Sequence, residues 1–129
     1  RAATPGPTTA SVTEAVGLAR AAYRKAIRRD ETLAEAYWGL GLTYLVEDNG
    51  SKEAQVVLEA AAYLLPQETG IALALGKIQA QRGNVLEAAP AFDYVLRWST
   101  HARERAEATE ALARLRAPVA PVAPAAPAE

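Results

Sequence analysis

Apolar residues return along this chain at helical spacing, in blocks set off by turn residues. Val12, Val16, Ala19, Tyr23, Ala26 and Ile27 fall on one helical face. They predict a first helix from Ser11 to near Asp30. Ser11 and Glu14 open it as a Ser-x-x-Glu capping box, in which each side chain satisfies an orphan backbone N–H. Thr32 and Glu35 form a second such box ahead of a helix over 34–47. The turn VEDNGS (46–51) follows, with Asn49-Gly50 as its left-handed signal. Ser51 then caps a helix over 52–65, which stops at Pro66 because the residue before a proline is pushed out of helical geometry. A helix over 69–82 ends at Gly83. Asn84 and Glu87 read as a third capping pair, opening a helix over 85–98. Pro90 inside that helix lacks an N–H and predicts a kink on the outer face. Ser99-Thr100 break the pattern before a last helix over 101–116.

These blocks repeat. AEAYWGLGLTYL (34–45) is followed by TGIALALGKIQA (69–80), so that Leu40-Gly41 recurs as Leu75-Gly76 at a distance of 35 positions. Ala54 and Leu58 recur as Ala88 and Phe92, and Ala19, Tyr23 and Ala26 carry the same half-unit earlier. The half-unit at Ala54 and Leu58 recurs 34 positions on, and a fixed period near 34 is the mark of a helical repeat array, whose units bury their apolar faces only by stacking.

The pattern resembles the tetratricopeptide repeat. Residues 34–68 carry Tyr37, Leu40, Gly41, Tyr44, Ala54, Leu58, Ala61 and Pro66 at the places that define that repeat, and depart from it by one extra residue in the Glu47–Ser51 turn and by Leu58 in place of an aromatic. Residues 69–100 carry Leu75, Gly76, Gly83, Asn84, Ala88, Phe92 and Val95, and depart from it at Ala72, Gln79 and Thr100. Residues 16–31 match only a second helix. The resemblance implies an all-α fold, an α-solenoid of antiparallel helix pairs with about five to six helices. Its expected parts are a flexible segment 1–10 and a domain 11–116. The domain divides into a partial repeat 11–33, a repeat 34–68, a repeat 69–100 and a capping helix 101–116. A Pro/Ala-rich linker or tail, 117–129, completes the chain. In the capping helix, Ala106, Leu112 and Ala113 are expected to cover the stack. Arg103, Glu104, Arg105, Glu107 and Glu110 are expected to face water.

In that family the first helix of each unit lines a concave surface. Carried over by position, the surface receives Glu35, Trp38, Gly39, Leu42, Leu45 and Val46 from one unit. The next supplies Gly70, Leu73, Ala74, Lys77, Ala80 and Gln81. Trp38 beside Leu42 and Leu73 is the natural anchor for an apolar side chain of a partner. Two other readings of Trp38 and Leu42 stand beside it: packing against the chain's own N-terminal segment, and a homodimer through the N-terminal edge. Some members clamp a peptide carboxylate with Lys and Asn at these places. Here only Lys77 has that chemistry.

Composition narrows the chemistry. The net charge of −1 gives no global attraction to nucleic acid or to an anionic membrane. No apolar run approaches the roughly 18 residues of a membrane span. The chain has no Cys, which removes thiolate nucleophiles and Cys-based zinc sites, and no Met even at position 1, as an excised or processed segment would show. His101 is the only histidine and reads as a surface residue, so no metal site is expected. Glu104, Glu107 and Glu110 read as a polar helix face without the desolvation that acid–base catalysis needs. No phosphate loop or nucleophile elbow is present. Arg20, Arg24 and Arg28 form a basic stripe, read either as a face for an acidic partner or as a solvated helix face.

The prolines at 118, 121, 124 and 127 lie on one edge of a polyproline II helix, suited to a semi-rigid spacer or to an SH3-like reader. Abundant Ala, Leu and Arg suggest a GC-rich bacterial source and do not distinguish cytoplasm from periplasm. The expected function is non-catalytic: a protein–protein interaction or assembly module with a protein or peptide partner, no cofactor, no nucleic acid and no membrane insertion. The alternatives are an accessory domain of a larger bacterial enzyme or regulator, and a small secretion-type chaperone.

Overall fold

The computed structural model describes residues 9–46 and 51–116. Among them six helices follow one another: α1 (Thr9–Arg29), α2 (Ala34–Val46), α3 (Lys52–Leu64), α4 (Thr69–Gln81), α5 (Val85–Trp98) and α6 (Ala102–Arg116). No strand occurs among the described residues. The expectations for residues 1–8, for most of the 46–51 turn and for the 117–129 tail lie outside the described residues.

Local sequence accounts for most boundaries. Ser51 caps α3 by accepting a hydrogen bond from the Ala54 N–H at 3.0 Å. Pro66 follows the end of α3, and Gly83 ends α4 with φ +79°, a conformation that disfavours any residue with a Cβ. Pro90 is exposed on the outer side of an unbroken α5.

Three expected caps are replaced. Helix α1 is already formed at Thr9, so Ser11 lies inside it rather than at its start, and residues 9 and 10 belong to the helix rather than to a flexible segment. In the turn before α2, the Asp30 carboxylate accepts the Thr32 N–H at 2.9 Å and the Thr32 hydroxyl at 2.6 Å, so the Thr32 hydroxyl is engaged by Asp30 rather than capping α2. Those two bonds hold the Asp30 carboxyl below its usual range. A charged carboxylate two residues back is a strong local acceptor for both donors, forming an Asx turn. Asn84 stands at the cap position of α5 but makes no capping bond. Its amide donates to Gln55 Oε1 at 3.3 Å instead.

Each helix packs on its neighbour in sequence, and α2 also touches α4, as α4 touches α6. The even-numbered helices therefore form one row, with α3 set behind α2 and α4, and α5 behind α4 and α6. This is a helical repeat-like fold with two cores. Leu40, Tyr44, Ala54, Leu58, Ala74 and Ile78 fill the first. Leu73, Ala88, Phe92, Val95, Ala108 and Leu112 fill the second.

The repeated residues occupy repeated places. A Cβ on Gly41 would stand 2.4 Å from Leu58 Cγ, and one on Gly76 would stand 2.8 Å from Phe92 Cε1. The absent side chain lets a large residue of the following helix close onto the backbone in both units. In α6, Ala108 and Leu112 are buried, whereas Ala106 and Ala113 are exposed rather than covering the stack.

Candidate binding groove

The row α2–α4–α6 carries an open cleft of about 400 Å³. Leu45 comes from α2; Lys77, Ala80 and Gln81 come from α4; Glu107, Ala111, Arg114 and Leu115 come from α6; the Phe92 ring lies behind them. Leu45, Ala80 and Leu115 are spaced by 35 positions, so the same repeat position supplies one small or apolar side chain from each inner helix. An apolar floor results. Over it, Lys77 Nζ pairs with Glu107 Oε1 at 2.7 Å, each side chain about one-third exposed. Glu110 pairs with Arg114 one turn along α6. The cleft combines apolar contact with paired charges at its margin, which suits reversible binding of an amphipathic segment.

Of the residues expected to line the groove, the cleft brings together Leu45, Lys77, Ala80 and Gln81. Glu35 is exposed in the first turn of α2, and Leu73 is buried in the second core. Leu42 is 41% exposed and Val46 65%, both outside the cleft. Trp38 is half-buried. Its ring closes on Gly70 of α4, where a Cβ would stand 2.5 Å from Trp38 Cζ2, and its Nε1 is buried without a hydrogen-bond partner. The indole thus joins two inner helices of its own chain.

Helix α6 supplies half of the cleft and was expected only as a cap. Glu107 and Glu104 turn inward instead of facing water. Glu104 Oε1 accepts the Thr69 hydroxyl at 2.6 Å and the Ser99 hydroxyl at 2.7 Å, tying the starts of α4 and α6 together. The signal available in sequence was the period itself, which continues from Leu45 and Ala80 to Leu115.

Burial opposes ionisation of Glu104, but the two hydroxyls, with His101 nearby, hold its carboxyl below the ordinary value of 4.5. A carboxyl with a lower pKa in the folded chain stabilises the fold above its ordinary pKa. That contribution is lost as pH falls through the folded value. Glu104→Gln is therefore expected to lower stability at neutral pH by on the order of 1 kcal/mol, since the site is partly exposed. It is also expected to lose less than the native chain between neutral pH and acid. Urea unfolding of both proteins across this range checks it: a stability difference constant with pH would contradict the assignment.

The basic stripe of α1 is used mostly within the chain. Arg20 lies over the Tyr44 ring, 3.9 Å from its centroid, and donates to Thr43 Oγ1 at 3.0 Å and to the Thr43 carbonyl at 3.3 Å. Arg24 donates to the Tyr44 hydroxyl at 2.9 Å and to Glu53 Oε1 at 2.7 Å. The Arg24 hydrogen bond, followed by that of Tyr44, lowers the Glu53 pKa. Burial, followed by the Glu53 carboxylate, raises that of Tyr44. Arg28 is exposed. The acidic partner of Arg24 is thus a glutamate of α3, and the stripe fastens α1 to the repeats.

Among the described residues, no three His, Asp or Glu side chains are placed to hold a metal ion, and no helix is long and apolar enough to cross a membrane. Compared with models of known protein families and with curated proteins, the sequence matches none of them.

Proposed function

We propose that this chain is a non-catalytic binding module, a tetratricopeptide-like α-solenoid that holds an extended or helical segment of a partner protein along α2, α4 and α6. The observation that carries the reading is the shared cleft. One side chain from each inner helix, Leu45, Ala80 and Leu115, recurs at the repeat period along its floor. Stacked helical units present such extended concave surfaces because each unit places its inner helix in the same orientation. The Lys77–Glu107 and Glu110–Arg114 pairs set a polar margin around an apolar floor, which favours orientation and register over raw affinity.

The test is selection from a displayed peptide library, followed by filling the cleft. Ala80→Trp and Ala111→Trp each place an indole in the space that the peptide would occupy. Ala80 and Ala111 line the open cleft and pack on the second core, so circular dichroism and urea unfolding of each variant accompany the binding measurement. The expected result is at least a ten-fold loss of affinity for the selected peptides, about 1.4 kcal/mol or more, with helix content retained. Equal binding to the native and filled proteins would remove the cleft from the account.

A further inference from the structure

Helix α1 has a second face that the repeats leave uncovered. Val16, Ala19, Arg20, Tyr23, Ala26 and Ile27 are its buried or half-buried residues, and α2 is the helix on which it packs. On the opposite side Glu14, Leu18, Ala21 and Lys25 are exposed, Leu18 to 68%. Their spacing of 4, 3 and 4 positions is that of a seam between two helices. It is also palindromic about the midpoint between Leu18 and Ala21. Glu14 and Lys25 lie 11 positions apart, roughly 16 Å along the axis, so they do not meet within one chain. Neither has an opposite charge three or four positions away on α1.

We propose that this face pairs with the same face of a second copy, the two α1 helices running antiparallel across a two-fold axis. An axis through the midpoint sets Glu14 of one protomer against the partner's Lys25, and the reciprocal pair forms at the other end. Leu18 of each protomer then meets the partner's Ala21 and Ala22, whose small side chains let the helix axes come close. Direction follows from charge. Lys25, Arg28 and Arg29 are exposed at the C-terminal end of α1, and Glu14 is its one acidic residue. A parallel pair would set these cations against their own copies. The antiparallel pair keeps the two Arg28 positions roughly 25 Å apart along the axis, beyond the Debye length at physiological salt. Residues 14–25 make about three helical turns, so the contact is at the small end of protein interfaces and the dimer is weak and concentration-dependent. Helix α1 lends no residue to the α2–α4–α6 cleft, and the pairing does not depend on what that cleft binds.

Sedimentation equilibrium of the full 129-residue chain, from about 10 µM to about 1 mM, is the test. The average mass is expected to rise from 13.7 kDa toward twice that value and no further. Glu14→Lys and Lys25→Glu are each expected to weaken the dimer about five-fold or more, because both symmetric pairs become like-charge contacts. The chain carrying both exchanges restores opposite charges across the axis and is expected to return to within about two-fold of the native dimer. Leu18→Glu is expected to give a monomer over the same range, with its helix content by circular dichroism retained because the position is exposed. Leu86→Ala, on the 87% exposed Leu86 of α5, is the control and is expected to leave the association unchanged. A native chain that stays at 13.7 kDa throughout overturns the proposal. So does a doubly exchanged chain as weak as the single variants, or a mass that grows past the dimer.

Discussion

Phe92→Ala is expected to destabilise the chain by about 3–5 kcal/mol, the largest loss of any single truncation considered. Phe92 is fully buried, and its ring closes on the backbone at Gly76 while packing among Leu73, Ala88, Val95, Ala108 and Leu112. The neighbours that would have to collapse into the space come from three helices, α4, α5 and α6, so relaxation is limited and the cavity persists. For a domain whose total stability is about 5–15 kcal/mol, such a loss brings the native state close to unfolding. Leu86→Ala, on the same helix at an 87% exposed position, is the control and is expected to change stability by less than about 0.5 kcal/mol. Urea titration followed by circular dichroism reads both. A loss below about 1 kcal/mol at Phe92 would mean that the second core is not packed as described.

Glycine to alanine is expected to act with opposite signs at two helical positions. At Gly41 the new Cβ would meet Leu58 Cγ and Cδ2 at 2.4 Å, and Leu58 is itself fully buried. The clash falls on a branched core side chain with no free space to enter, and overpacking of that kind costs about 1–3 kcal/mol. The gain in helix propensity is at most about 1 kcal/mol, so the balance is a net loss of about 1–2 kcal/mol. At Gly17, exposed in α1 with nothing within 4 Å of the Cβ position, only the propensity gain remains. Gly17→Ala is therefore expected to stabilise by up to about 1 kcal/mol. Thermal unfolding of the two variants separates the cases by direction alone. Stabilisation at Gly41 would show that Leu58 does not close on α2.

Features set by a few adjacent residues were legible in the sequence. Ser51 before α3, Pro66 after it and Gly83 after α4 act on backbone within one turn of themselves, and each boundary falls where these residues put it. The repeat made Gly41 and Gly76 legible as equivalent positions, but only the structure shows that Leu58 and Phe92 close on them. Where two local motifs compete, sequence gives no ranking. Thr32 can cap α2 or bond back to Asp30, and its hydroxyl donates to Asp30.

Non-local partners were not legible. Arg20 and Arg24 have few acidic neighbours within α1, yet Tyr44 and Glu53, from α2 and α3, engage them. Glu104 and Glu107 look solvent-facing on a polar helix, and only the approach of α4 shows that Thr69 and Lys77 meet them. The groove was half legible for the same reason. Leu45, Lys77, Ala80 and Gln81 followed from position within the repeat, whereas the contact of Trp38 with Gly70 of the next helix did not.

The most direct test of the binding account is an amide chemical-shift footprint of one library-selected peptide on the isotopically labelled chain. The predicted footprint runs across three helices at the repeat period, centred on Leu45, Ala80 and Leu115, and includes Lys77, Glu107 and Ala111. A footprint confined to α1, or to the outer faces of α3 and α5, would contradict the assignment of the α2–α4–α6 row as the binding surface.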